Sequence, residues 1–244
     1  MAVLHRVAIV LAAACLATSV DVAAQAPTTP PAQQSQGQTH AQTPGQTQRS
    51  TFANPAEYDN YMAGVNTQDP ARRATAMEVF IAWYPGSILR IDAYEQAIAA
   101  WHAAGQPAKA DVLGVKLLQI DPDNVRALAN SAYVGRLKAA GGDTAALAPA
   151  VAAAQRGLAV LPKWQKPPLL DDAGFARVKE QLAGVFNGVL GFAALQAKDY
   201  EKARGFYRLA VAADPTNLQD VYQLSVSQLE DMPVDALGFW YGAR

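Results

Sequence analysis

Few residues in this sequence are able to do covalent or metal chemistry. There are three histidines. His5 and His40 fall ahead of the part expected to fold, which leaves His102, with Glu95 two helical turns earlier on the same face. Such a pair is a minimum for general acid–base work. Hydrolysis also needs a nucleophile and a feature that stabilises an oxyanion, and the sequence places neither beside them. The single cysteine, Cys15, lies in an N-terminal apolar run, so no disulfide, thiol nucleophile or cysteine-ligated metal is expected in the folded part. Asp121-Pro122-Asp123-Asn124 and Asp171-Asp172 bring oxygens together without the ligand spacing of a calcium loop. Lys163-Trp164-Gln165-Lys166 is basic and aromatic, but 20 basic and 21 acidic residues give a net charge of −1 and no field for nucleic acid. No phosphate-cradling glycine loop is present. The expectation is a non-enzymatic protein with no cofactor and no metal.

The elements that carry these residues read as helices. The chain has 244 residues, 51% of them apolar and 17% charged, and 51 are alanine, the best helix former. Apolar residues recur at three- and four-residue steps from Asn54 onward, and strand-like alternation is absent. Asn54-Pro55-Ala56-Glu57 is a helix start, with an N-cap, a first-turn proline and a capping-box acid. Breaks fall at Asn66 to Asp69, Pro85-Gly86, Gly105 to Pro107, Asp121 to Asn124 and Gly141 to Asp143. Others fall at Pro162 to Asp172, Lys198-Asp199, Pro215 to Asn217 and Met232-Pro233. The spacing predicts about ten helices in five antiparallel pairs, with no sheet.

The N-terminus reads differently. Arg6 precedes the apolar run Val7 to Val20, and Ala24-Gln25-Ala26 follows as a small-x-small cleavage site. Residues 1–26 therefore read as a signal peptide, and the protein is expected to be exported, to the periplasm or beyond. Lipid attachment at Cys15 fits less well, because Ala12 stands where a large aliphatic residue is usual and apolar sequence continues to Val20. Residues 27–50 hold seven glutamines, five threonines and four prolines, and read as a disordered linker that cannot offset its chain entropy. The folded domain is expected over residues 51–244, with no later run expected to cross a membrane.

Within that domain the pairs are related. Ala110 and Pro122, Ala150 and Pro162, and Ala203 and Pro215 share one offset of 12 residues. Around Ala203 the sequence adds Tyr207 and Ala210 before Pro215, and Leu190-Gly191 in the helix before. Around Ala110 it has Tyr94 and Trp101 in the preceding helix, with Gly114 and Leu117 at the places where Tyr207 and Ala210 stand. A degenerate first unit carries Met77, Phe80 and Pro85, with Arg73 in the small-residue slot. The unit Val125 to Pro162 is lengthened around Gly141-Gly142, and the helix near Asp172 to Ala197 is stretched to about seven turns. These residues make the chain resemble the tetratricopeptide repeat family, whose unit is a helix pair of about 34 residues. The resemblance implies a right-handed α-solenoid that presents a concave face to an extended segment or helix of a partner.

The resemblance also implies which residues face inward. These are Asp92, Glu95, Ala99 and His102 in one helix and Arg126, Ala129, Tyr133 and Arg136 in the next. Val185, Gly188, Phe192 and Leu195 follow, with Gln196 beside them. Asp92, Glu95, His102, Arg126, Tyr133, Arg136, Phe192 and Gln196 are the expected partner contacts, since Arg and Tyr are enriched at hot spots. The partner expected is an unknown protein or peptide of the cell envelope. The peptide-carboxylate clamp known in the family is not reproduced. Val234 to Arg244 carries Leu237, Phe239, Trp240 and Tyr241. That apolar face is expected to pack back on the preceding helix, to mark a chain cut short, or to be covered by a partner, with self-association through it as the alternative function.

Overall fold

The computed structural model describes residues 55–167, 170–231 and 237–243. Among these residues the protein is all-helical, with no strand. The first four helices are α1 (Pro55–Val65), α2 (Pro70–Trp83), α3 (Arg90–Ala103) and α4 (Pro107–Ile120). The next three are α5 (Val125–Ala140), α6 (Leu147–Val160) and α7 (Asp172–Gln196). The last three are α8 (Tyr200–Ala213), α9 (Leu218–Leu229) and α10 (Leu237–Gly242). The expected signal and linker, the Asn54 cap and the Met232-Pro233 break lie outside the described residues. Glu57, expected in a capping box, accepts a hydrogen bond from the Ser87 hydroxyl.

The starts follow from capping chemistry. Proline opens α1, α2 and α4, where a missing N–H costs nothing. Asp69, Asn124 and Asp171 each accept a first-turn backbone N–H, at 2.7, 2.9 and 2.7 Å, and so satisfy donors the helix cannot. Three ends are alike. Gly105, Gly142 and Lys198 stand in the left-handed region, at φ 70, 104 and 58°. In each turn that residue's N–H and the next one reach back to carbonyls of the helix just ended. Asn124 and Asp171, from the two acidic motifs, are thus helix caps, and no cluster of potential metal ligands occurs among the described residues.

Consecutive helices pack on one another along the described chain, and α3, α5, α7 and α9 also touch in turn. The positions singled out for their small size are buried: Ala110 and Ala203 at 0% exposure, Ala150 at 1%. Tyr94, Trp101 and Tyr207 fill the adjoining cores, as expected of large aromatics in a stacked helical array. In α2 the buried small residue is Ala74; Arg73 beside it turns its Nε to the Thr67 carbonyl. Trp164, in the loop before α7, stacks on Phe175 and lies under the Arg126 guanidinium, closing the space left by the longer connection. The 20-residue stretch Thr144–Lys163 is long and apolar enough to cross a membrane. That differs from the expectation, because its many alanines raise its hydropathy despite Arg156. Here it turns Ala150, Ala153, Ala154 and Gly157 into the protein between α5 and α7.

The last described helix packs back through its glycines. Gly238 is buried against Leu229, and its carbonyl accepts the Ser225 hydroxyl at 2.9 Å. Tyr241 joins the core of Phe192 and Tyr207. Phe239 and Trp240 point outward, 66% and 58% exposed.

Candidate functional site

The expected contact residues lie on α3, α5 and α7, and most of them are engaged by other residues of the protein. Glu95 in α3 meets Arg126 in α5 at 2.7 Å and accepts the Asn124 amide at 2.8 Å. Both ionic side chains are about seven-eighths buried, at 15% and 13% exposure. Burial raises the Glu95 pKa, and Arg126 and Asn124 pull it back down. Asp92 accepts the Tyr61 hydroxyl from α1.

A second pair spans three helices. Arg136, toward the end of α5, lies 2.7 Å from Asp220, in the first turn of α9, with side-chain exposures of 11% and 3%. The contact passes over Gly188 of α7, where a Cβ would stand 2.8 Å from Nη1 of the arginine and 2.8 Å from Oδ2 of the aspartate. The guanidinium lies over the rings of Phe192 and Tyr207, 5.7 and 6.0 Å from the centroids. The Asn217 amide donates to Asp220 at 2.8 Å. Burial raises the Asp220 pKa against the pull of Arg136, and it raises the Tyr207 and Tyr133 phenols as well.

His102 is inside, 5% exposed. Its Nε2 lies 2.5 Å from Asn130 Oδ1, and the Asn130 amide nitrogen donates on to the Ala110 carbonyl at 3.4 Å. That orientation makes Oδ1 the acceptor, so His102 carries its proton on Nε2. Gly114 supplies the room, since a Cβ there would sit 2.5 Å from the Asn130 amide nitrogen. Burial lowers the His102 pKa. His102 and Glu95, the one acid–base pair the sequence offers, are thus directed to different partners, Asn130 and Arg126.

The expected contact residues therefore divide. His102 and Phe192 are buried, at 5% and 6% exposure. Glu95, Arg126 and Arg136 are spent on ion pairs, Asp92 on Tyr61, and Tyr133 is half-buried edge-on to His102. Gln196 is exposed, and with Leu195 it enters an open groove of about 400 Å³. Lys198, Tyr200, Tyr222, Gln223, Val226 and Glu230 complete that groove, between the end of α7 and the face of α9. Tyr222 is 60% exposed. The reading of the sequence stopped at Gln196 and missed the α9 wall. The signal for it was present: Tyr222 and Val226 follow Pro215 at the helical spacing already used for α3 and α5.

No family model, curated protein or solved structure matches this chain.

Proposed function

We propose that this protein is a non-enzymatic scaffold of tetratricopeptide-like helix pairs, arranged as a right-handed solenoid, that binds a protein or peptide segment of the cell envelope. The reading as an exported protein rests on residues 1–26, and the repeat on the alanine–proline spacing above. One observation carries the binding reading. Among the helices that touch in turn, buried ion pairs join α3 to α5 and α5 to α9, and an open polar-aromatic groove lies between α7 and α9. The paired charges hold neighbouring helices at fixed spacing. The groove, with exposed Tyr222 and Gln196, is the part a partner can reach. A rigid frame with a small number of exposed aromatic anchors is how binding surfaces concentrate their energy.

The test is capture of envelope protein on the immobilised chain, compared with a Gln196→Ala, Tyr222→Ala variant. Both side chains are exposed, so the variant keeps the fold. A protein retained by the wild type and lost by the variant supports the groove; equal retention refutes it.

The outward face of α10 favours a second reading, self-association. Leu237, Phe239 and Trp240 are each more than half exposed, at 53, 66 and 58%. Sedimentation at rising concentration tests it: a strict monomer throughout counts against it.

A further inference from the structure

Three helix ends in this protein share one geometry. After α3, α5 and α7 the chain enters the left-handed region at Gly105, Gly142 and Lys198. In each case that residue's N–H bonds a carbonyl three residues back, and the next N–H bonds one five back. Two of the three turns use glycine, which has no Cβ to clash. The third uses lysine, a residue that adopts this backbone at a cost. Local folding therefore does not account for a lysine there. Its side chain does something else on the page: it lines the groove between α7 and α9.

Charge makes the same point independently. The charges on the neighbouring helices are neutralised in place, Glu95 by Arg126 and Asp220 by Arg136. Lys198 and Glu230, both exposed and both in the groove wall, have no ion-pair partner among the described residues. The same groove is lined by the side-chain amides of Gln196 and Gln223, each able to give and accept a hydrogen bond, and by the rings of Tyr200 and Tyr222. Leu195 and Val226 supply apolar surface. A wall with, among the described residues, one cation and one anion outside any ion pair, two amides and two phenols complements an extended backbone that carries side chains of both signs.

We propose that the α7–α9 groove binds an extended peptide segment bearing an acidic and a basic side chain, with Lys198 reading the acid and Glu230 the base. The amides of Gln196 and Gln223 meet the peptide's N–H and C=O groups, and Tyr222 covers its apolar stem. This rests on the groove reading above and adds the kind of partner. The contribution of the charges is to orientation and specificity more than to affinity.

The probes are four pools of short, fluorescently labelled synthetic peptides of equal apolar content: acid and base together, acid alone, base alone, and uncharged. Binding to the full chain is read by anisotropy at low salt. The mixed pool is expected to bind tightest. Lys198→Gly keeps the turn, since glycine prefers that backbone, and is expected to weaken the mixed pool about threefold to fivefold, as is Glu230→Gln. The exchange Lys198→Glu with Glu230→Lys is expected to reverse the preference between peptides with acid before base and base before acid. Circular dichroism and urea midpoints establish that each variant is folded.

Equal binding of all four pools, or a mixed-pool affinity unmoved by the three variants, overturns the assignment. If the affinity is unmoved by those variants but lost with Gln196→Ala, Tyr222→Ala, the groove stands and its charge reading falls. Equal competition by free amino acids makes the ligand a small zwitterion and overturns the peptide. If no pool binds, this inference falls, while capture of a folded envelope protein lost in Gln196→Ala, Tyr222→Ala would still uphold the groove.

Discussion

The guanidinium of Arg136 and the carboxylate of Asp220 lie 2.7 Å apart although α5 and α9 are separated by α7. The contact exists because Gly188 presents no side chain at the crossing. Three residues on three helices thus form one device, and each is exacting about its neighbours. Gly188→Ala would place a methyl group 2.8 Å from both charged atoms and force the pair apart. Buried pairs are costly to break, so a loss of about 2–4 kcal/mol is expected in urea unfolding. Gly205→Ala in α8 is the control. It has nothing within 4 Å and should gain about 0.5–1 kcal/mol from helix propensity.

Removing one partner should expose the other. Arg136→Met leaves a carboxylate that is 3% exposed without its counter-ion. It is expected to cost about 3–5 kcal/mol at neutral pH. The cost should shrink on acidification. Burial already holds the Asp220 pKa above the ordinary carboxylate value, and loss of Arg136 raises it further. A carboxylate raised by folding binds its proton more tightly in the folded state. The stability it contributes is then present below the unfolded pKa and lost as pH rises through the folded one. Unfolding of the variant at about pH 5 and about pH 7.5 should show part of the deficit recovered at the lower pH. A deficit independent of pH would place the damage elsewhere than in Asp220.

His102 has the opposite sign. Its pKa is lowered by burial from 6.5, and its Nε2 proton is held by Asn130. The folded state resists a second proton, so stability is expected to fall as pH drops below the unfolded value of about 6.5. His102→Gln retains an amide donor for Asn130 and removes the titration. The slope of melting temperature against pH between about 7.5 and 5.5 should flatten in that variant, with little change at the upper end. An unchanged slope would show that other groups carry the acid sensitivity.

The all-helical fold and its buried positions were legible because they are written in residue size. Ala110, Ala150 and Ala203 stand where helices cross closely, and Tyr94, Trp101 and Tyr207 where cores need filling. Each does what its spacing predicts. The turns were legible because Gly105 and Gly142 mark left-handed ends. The break at Lys198-Asp199 was legible too, though not that a lysine would take its left-handed position, and the buried small residue of α2 stands one place from Arg73, at Ala74. The site was less legible because sequence phase tells which way a side chain points and not what it meets. Glu95 and Arg126 read as two ligand contacts and are one ion pair. His102 reads as a groove residue, and Gly114 lets Asn130 in to cover it. The wall contributed by Tyr222 and Glu230 belongs to α9, whose partner α10 departs from the repeat altogether.

The tightest glycine contact among the described residues yields the last prediction. Gly157 in α6 faces the Phe186 ring of α7, where a Cβ would stand 2.2, 2.3 and 2.6 Å from three ring carbons. Phe186 is fully buried, so the ring has no open direction in which to retreat. Gly157→Ala gains helix propensity of about 1 kcal/mol and loses more to overpacking, for a net cost of about 1–2 kcal/mol. Phe186→Leu alone opens a void in the same core and should cost about 1–3 kcal/mol. Together the two changes exchange ring volume for a methyl group at the same crossing. The double variant should therefore be more stable than the sum of the single losses implies, by at least about 1 kcal/mol. Additive losses in a urea double-mutant cycle would mean that α6 and α7 move apart to accommodate the methyl group, and that the ring does not set the spacing between them.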